Sequence, residues 1–303
     1  LLNAAGQPAM ALGNIGIPLT SQLDHLSGKK ACLELSSYQI ETLTEKKFQT
    51  GVILNITPDH LDRYGTFENY AQAKLRLQKF IQSDGTLLVQ EKVYQKWKPF
   101  FKKGHMIRFS EQDFEKYWPQ ALPNTLKSIE KETLVAAACL AKHYQLSDEQ
   151  INEAAKSFKP LEHRREYVET IRGVEYYNDS KATNIDSVIR SVLSFKKKQV
   201  LIMGGEDKGF DFFDCTDTFK GRVRLIYVIG QVQDKIVKQL GKAIKIKTCA
   251  SLKQAVRLSY ENSLAGEVVL LAPACSSFDM FKNFEHRGQE FKALVNELKR
   301  EGV

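Results

Sequence analysis

Three short apolar runs in the second half of the chain, Gln199 to Met203, Leu225 to Ile229 and Val268 to Ala272, and a fourth strand-like segment, Ile244 to Thr248, alternate with segments of helical periodicity. Apolar, β-branched runs of this length are strands covered on both faces. Helical crossovers between parallel strands provide that cover, so the order predicts a doubly wound, Rossmann-like α/β domain. Ahead of it, Tyr167 to Ile171 and Val174 to Tyr177, joined through Arg172-Gly173, predict a hairpin. Composition and periodicity both shift between Pro160 and Arg164. The boundary is placed there, giving an α/β domain over 1–162 and the doubly wound domain over 163–303.

In the first domain, Gly51-Val-Ile-Leu-Asn-Ile56 predicts a covered strand that empties into the polar loop Thr57-Pro-Asp-His-Leu-Asp-Arg63. Open α/β sheets bind ligands beyond the carboxyl ends of their strands, which makes His60 and its neighbours candidates for chemistry. Thr66 suits an N-cap, and Phe67, Tyr70, Ala71, Leu77 and Ile81 make a helical apolar stripe. Lys74 falls inside it. A lysine there either snorkels its stem past the core or is pushed toward the neutral amine, which can take up carbon dioxide and become a carbamate able to ligate a metal.

Ala31-Cys-Leu-Glu-Leu35 predicts another strand, followed by Ser36-Ser-Tyr-Gln39. Glu34 needs a partner or a metal if that strand end is buried, and neither if it is exposed. Gly13 and Gly16, on either side of Asn14, permit a tight turn or close backbone approach to a ligand. Gly85 to Gln90 predicts a strand, Val93 to Lys103 an amphipathic helix, and Ile129 to Tyr144 an alanine-rich helix. Ser147-Asp-Glu-Gln150 is a capping box for the helix after it.

Composition removes several function classes. The five cysteines are odd in number, widely spaced and free of any C-x-x-C pair, against a disulfide framework or structural zinc. No 18-residue apolar run or secretory signal pattern occurs, so no membrane partner and a cytoplasmic location are expected. The net charge of +8 comes without a block of five like charges, and anionic small substrates explain the surplus as well as nucleic acid does; no nucleic-acid partner is expected. A monomer is expected.

Three loops of the doubly wound domain gather polar groups after apolar strands: Asn178-Asp-Ser-Lys-Ala-Thr-Asn184, Gly204-Gly-Glu-Asp-Lys-Gly209 and Pro273-Ala-Cys-Ser-Ser-Phe-Asp279. Together they predict an anion site at one edge of the sheet. Neither G-x-G-x-x-G nor G-x-x-x-x-G-K-[ST] occurs in the chain.

With Leu33-Glu-Leu-Ser-Ser-Tyr-Gln-Ile-Glu41, the loop Asn178 to Asn184, and the run from Pro273 through Phe284-Glu-His-Arg-Gly288, nearly the whole chain resembles the Mur ligase family, and within it the D-glutamate-adding branch. The resemblance implies a central ATPase domain followed by an amino-acid-binding domain. It implies ATP and Mg2+ as cofactors, UDP-N-acetylmuramoyl-L-alanine and D-glutamate as substrates, an acyl-phosphate intermediate, and an amide product in peptidoglycan precursor synthesis. Carried over by residue, Glu34 resembles the carboxylate serving one magnesium, and His60 and carbamylated Lys74 the ligands of another. Asn14, Ser36 and His60 would face the muramoyl-alanine part. His163 and Arg164 resemble an interdomain pair near the nucleotide, Asp179 the ribose contact, and Lys181 a group near the phosphates. Thr183, Lys208, Ser277 and the Phe284 backbone resemble the clamp on D-glutamate.

The chain departs from the family pattern in two places. The phosphate-binding loop and the UDP-binding domain are expected ahead of Leu1, so the sequence reads as a carboxy-terminal portion that is inactive by itself. Where the family carries a His-Asn pair and a further Asn beside the nucleotide, Ser128, Ile129 and Glu132 stand here. An acid in place of an amide disfavours nearby phosphate unless metal or Arg compensates. The alternative readings are a folylpolyglutamate synthase-like ligase and a non-catalytic anion-binding remnant.

Overall fold

The computed structural model describes residues 1–303 except 15, 46–47, 103, 119–130, 157, 159–160 and 302–303. The chain divides into two compact units, one comprising Leu1–Thr57 and Tyr64–Pro160, the other Pro58–Arg63 and Leu161–Val303.

The first unit holds two small parallel sheets. Strands β1 (Ala9–Gly13) and β2 (Lys30–Glu34) pair in one, and β3 (Phe48–Ile53), β4 (Ile81–Gln90) and β5 (Met106–Phe109) in the other, ordered β3-β4-β5. Side chains alternate across a strand, and β4 uses this to serve two cores. Leu88 packs with Val135, Ala138 and Cys139 of the helix Lys131–His143, while Leu87 and Val89 pack with Tyr70, Ala71 and Leu75 on the opposite face. Each such side chain, fully buried, contributes about 1.5 to 3 kcal/mol relative to leaving it in water.

Several expected boundaries move. The strand expected over Gly51 to Ile56 lies at Phe48–Ile53, and the chain is already out of it at Leu54. The helix expected to carry its stripe to Ile81 ends at Leu75, tightens into a 3-10 turn over Arg76–Phe80, and gives way to β4 at Ile81. Ile81 is buried as the stripe required, but as a strand residue. Thr66 is the N-cap, accepting from Asn69 N at 3.2 Å. The basic, aromatic segment is helical over Glu91–Trp97, where Pro99 follows in a 3-10 turn. The Ser147–Gln150 capping box forms in both directions, at 3.2 and 2.9 Å. Ser128 and Ile129 lie outside the described residues. Strand β1 falls in a segment that carried no expected strand.

The second unit is built on a six-stranded sheet, with β6 (Glu166–Ile171), β7 (Val174–Asn178), β8 (Gln199–Gly204), β9 (Val223–Ile229), β10 (Lys245–Thr248) and β11 (Val268–Leu271) in the order β10-β9-β8-β11-β7-β6. All neighbours are parallel except the β6–β7 hairpin. Its turn residues Arg172 and Gly173 both have positive φ, 52° and 75°, as a two-residue turn matching strand twist requires. Leu201, Met203, Ile226, Val228 and Leu270 face one apolar core, and Val200, Ile202, Tyr227, Val269 and Leu271 face the other. The fold is the doubly wound one expected. Since β11 lies between β7 and β8, the loops after these three strands emerge side by side.

Candidate functional site

The loop after β11 is the centre of the cluster and is tied to both of its neighbours. Ala274 N donates to Ala182 O at 2.9 Å, joining it to the loop after β7. Gly204 N donates to Pro273 O at 2.8 Å and Glu206 N to Ser276 O at 3.2 Å, joining it to the loop after β8. The Ser276 hydroxyl adds a hydrogen bond to the Glu206 carboxylate. Ala274 holds a left-handed conformation, φ 62°, that only a well-determined surrounding maintains in a non-glycine residue.

The glycines of the second loop serve this packing. A Cβ on Gly204, φ 112°, would meet Ile229 O at 2.0 Å, and one on Gly205, φ 139°, would meet Ser276 O at 2.1 Å. The expected reason for glycine here was an anion. The observed one is backbone against backbone.

Arg287 sits in the first turn of the helix Phe284–Glu301 and is fully buried. Its Nε donates to Ser180 Oγ and its Nη2 to Ser180 O, both at 2.9 Å, while Nη1 reaches Cys275 O and Ser276 O at 3.3 Å. Burial lowers this guanidinium to about 10. Ser180 Oγ in turn donates to Phe284 O at 2.8 Å. Arg287 was quoted above within a motif but given no role. A charged residue in a helical segment reads as a surface residue, and nothing in its spacing marks it as buried.

His163 and Asn178 form a second buried pair beside this helix. Asn178 Nδ2 donates to His163 Nδ1 at 2.9 Å and to Glu166 Oε2 at 3.1 Å, which leaves the neutral imidazole with its proton on Nε2. Desolvation lowers the His163 pKa from its ordinary 6.5. A Cβ on Gly288 would meet His163 Nδ1 at 2.2 Å, so the ring lies where only glycine leaves room. Arg164, next in sequence, is exposed.

Asp179 is buried, with Arg165 N donating to Oδ1 at 3.2 Å and Ser191 Oγ donating to Oδ2. Burial raises its carboxyl pKa, against the opposing pull of those two donors. Both oxygens of the expected ribose contact therefore carry protein partners. Lys181 Nζ lies 3.9 Å over the Phe284 ring. Thr183 is half-buried and Ser277 buried. The Phe284 amide opens the helix, so it has no intrahelical acceptor.

Lys208 is neither solvated nor alone. Its ammonium lies 3.5 Å from Asp59 Oδ1 with the side chain 17% exposed, and Asn184 Nδ2 donates to Asp59 Oδ2 at 3.4 Å. His60, φ 52°, follows directly, its backbone N–H donating to Asp59 Oδ1 at 2.9 Å.

The first unit carries the remaining expected residues. Glu34 ends β2 exposed, which settles the choice between a buried and an open strand end, and Asn14 Nδ2 donates to its Oε1 at 3.1 Å. Gly13 lets β1 approach β2, since a Cβ there would meet Glu34 O at 2.3 Å. Ser36 is the N-cap of the helix Ser37–Glu41 in a reciprocal capping box with Gln39. The sequence signal for that role is S-x-x-Q, Ser36 to Gln39. Lys74 is half-buried, its Nζ 5.5 Å over the Tyr70 ring. Glu132 accepts from Gln90 Nε2 at 3.0 Å and lies 3.4 Å from Lys92 Nζ, so its charge is met by a lysine.

Magnesium favours oxygen ligands and keeps several waters, needing one or two carboxylates beside substrate phosphates. Glu34 fits that use, being an exposed carboxylate with Asn14 on one oxygen. Among the described residues no group of three His, Cys, Asp or Glu side chains converges.

Residues 6–146 match the Mur ligase middle domain, and residues 163–275 the Mur ligase glutamate ligase domain. The UDP-N-acetylmuramoylalanine--D-glutamate ligase of Protochlamydia amoebophila is 38% identical over 98% of this chain and 70% of its own length. That of Koribacter versatilis is 36% identical over the same shares. Among solved structures, the MurF ligase from Thermotoga maritima in complex with ADP aligns with a TM-score of 0.62 at 12% identity, covering 97% of this chain and 82% of that one. E. coli FolC in complex with ADP aligns at 0.61 and 17%, covering 90% and 68%. The two structural likenesses bear on the fold, and the sequence identity over nearly the whole length bears on descent: this chain belongs to the Mur ligase family.

Proposed function

We propose that the protein takes part in joining D-glutamate to UDP-N-acetylmuramoyl-L-alanine, at the expense of ATP, in peptidoglycan precursor synthesis. The identity to ligases of that name over nearly the full chain carries the reading. The fused cluster after β7, β8 and β11 supports it. It gathers Lys181, Thr183, Lys208, Ser277 and the first turn of a helix, the donors that a dicarboxylate requires. A folylpolyglutamate synthase-like activity is disfavoured, since the relatives at 36–38% identity over nearly the whole chain are D-glutamate ligases by name.

In this reading ATP phosphorylates the muramoyl-alanine carboxylate, and the D-glutamate amine displaces phosphate to form the amide. Lys208 with Thr183 holds one carboxylate of D-glutamate, and Ser277 with the Phe284 amide holds the other. Asn14, Ser36 and His60 face the muramoyl-alanine part, and His163, Arg164, Asp179 and Lys181 serve the nucleotide. Glu34 would hold one magnesium, and His60 with Lys74 as its carbamate would hold another. When bound, the metal would neutralise charge developing on the phosphoryl oxygens. The chain's own contribution is to hold several anions and the amine in one arrangement.

The reading is tested by ADP release from the full-length protein, supplied with ATP, UDP-N-acetylmuramoyl-L-alanine and D-glutamate. Turnover with D-glutamate and little with L-glutamate is expected. Turnover with a folate substrate in its place would overturn it. Lys74→Arg keeps charge and length but cannot form a carbamate, so activity should fall to near background with folding retained. Full activity in that variant would remove Lys74 from the metal site.

A further inference from the structure

We infer that Arg287 is the positioning residue that fixes the distance between the two halves of the amino-acid clamp, and so sets the fit for D-glutamate. This rests on the function proposed above. In that function one half is Thr183 of the loop after β7 with Lys208 of the loop after β8, and the other, Ser277 with the Phe284 amide, belongs to the loop after β11 and the helix beyond it; Arg287 acts on the span from Thr183's loop to the second half.

Arg287 is the one side chain in the described structure seen to hold the loop after β7, the loop after β11 and the helix beyond it. Its Nε and Nη2 take the hydroxyl and carbonyl of Ser180, in the loop after β7. Its Nη1 takes the carbonyls of Cys275 and Ser276, immediately before Ser277. Its own backbone is the first turn of the helix that begins at Phe284, and Ser180 Oγ closes the circuit on Phe284 O.

Every one of these acceptors is a neutral oxygen. A buried ion pair would invite the reading of a charge serving a charge. A buried guanidinium that spends its planar fork on carbonyls of two loops is acting as a template. Two neighbouring features make the template stiff. Ala274 is held at φ 62° with its N–H on Ala182 O, between the same two loops. Gly288, the next residue of the helix, admits the His163 ring so closely that a Cβ would overlap it. The helix start therefore cannot slide along either loop without breaking several contacts together.

A dicarboxylate of fixed length samples this distance directly. ATP and the muramoyl substrate are not held by both halves of the clamp. Loosening the template should therefore appear in the D-glutamate KM before it appears in the others.

The experiment is steady-state kinetics on Arg287→Lys and Ser180→Ala in the full-length protein. Lysine keeps the positive charge but has no planar fork to span both loops. The D-glutamate KM should rise about tenfold or more in Arg287→Lys, with the KM for ATP and for the muramoyl substrate within about twofold. Ser180→Ala leaves the arginine and removes one acceptor, so a rise of about threefold to tenfold in the same KM is expected. A purely structural role would lower kcat through loss of active protein and leave all three KM values alone. An unchanged D-glutamate KM in Ser180→Ala overturns the inference even if Arg287→Lys fails to fold. A wild-type enzyme that does not turn over D-glutamate overturns the function reading, and the inference with it.

Discussion

At the scale of single residues, Lys208 faces a carboxylate before any substrate arrives. Asp59 lies 3.5 Å from its ammonium, and Asn184 supports Asp59 from the other oxygen. A D-glutamate carboxylate at this lysine must share or replace that partner, so the anchor works against an internal competitor. A charge-assisted hydrogen bond to a carboxylate is still worth roughly 1.5 to 3 kcal/mol, and Lys208→Ala should weaken D-glutamate use by about ten- to a hundredfold or more. Ser277→Ala should cost about 1 kcal/mol, since a neutral hydroxyl is the weaker partner. An unaltered D-glutamate KM and kcat in Lys208→Ala would take the clamp away from this loop.

His163 gives a residue-level expectation of a different kind. Burial lowers its pKa in the folded protein below the 6.5 of the unfolded chain, so the unfolded state takes up the proton first on acidification. Stability is therefore full above about pH 6.5 and declines as pH falls from there toward the folded value. Its neighbours act elsewhere: the Lys292 pKa is raised from 10.5, and that of Glu166 is lowered from 4.5. Urea denaturation at about pH 7.5 and pH 5.5 should show the wild type losing stability over this interval and His163→Gln losing less. An equal loss in both would place the titration on another group.

At the scale of elements, what the sequence made legible depended on whether periodicity or burial carried the information. Three of the parallel strands and the hairpin were readable because uninterrupted apolar runs and an Arg-Gly turn have few other uses, and β10 was readable from its alternation of Ile with Lys. The helix after Thr66 was overextended for the same reason. Leu77 and Ile81 continue its apolar spacing while the backbone has already left the helix. The candidate site was legible in its loops and illegible in its fastening. Lys208, Thr183 and Ser277 stand in polar loops where function is sought, whereas Arg287 does its work from a helix and Ser36 from a capping box.

The glycine-rich loop shows the same division. Its composition suggested an anion, but Gly204 and Gly205 stand where neighbouring backbone carbonyls leave no space for a Cβ. Gly204→Ala should destabilise the second unit by about 2 kcal/mol or more, through a strained φ and a clash with Ile229 O. A thermal melt checks this, and an unchanged Tm would mean that the strand ends can separate at little cost.

At the scale of the whole molecule, the 303 residues contain neither phosphate-binding glycine motif. A polypeptide of these residues alone is expected to release no ADP with the full set of substrates, because transfer of a phosphoryl group needs a cradle for the β- and γ-phosphates. ADP release by that polypeptide would show that other residues supply the cradle.

Strand order carries one more consequence. Among the described strands of its sheet β11 is the last in chain order, and so the last of them to leave the ribosome, yet it takes the place between β8 and β7. Until Val268–Leu271 emerges, the two strands on either side have no partner facing them, and the core faces that β11 completes on each side of the sheet stay open. The middle of the sheet and the middle of the clamp are thus made in the same few residues. A nascent chain that has already built its hairpin, its edge strands and most of its helices still lacks the loop that ties the other two together. Chaperone contact during synthesis would fall most usefully on these waiting edges of β7 and β8, and should end as the last strand inserts.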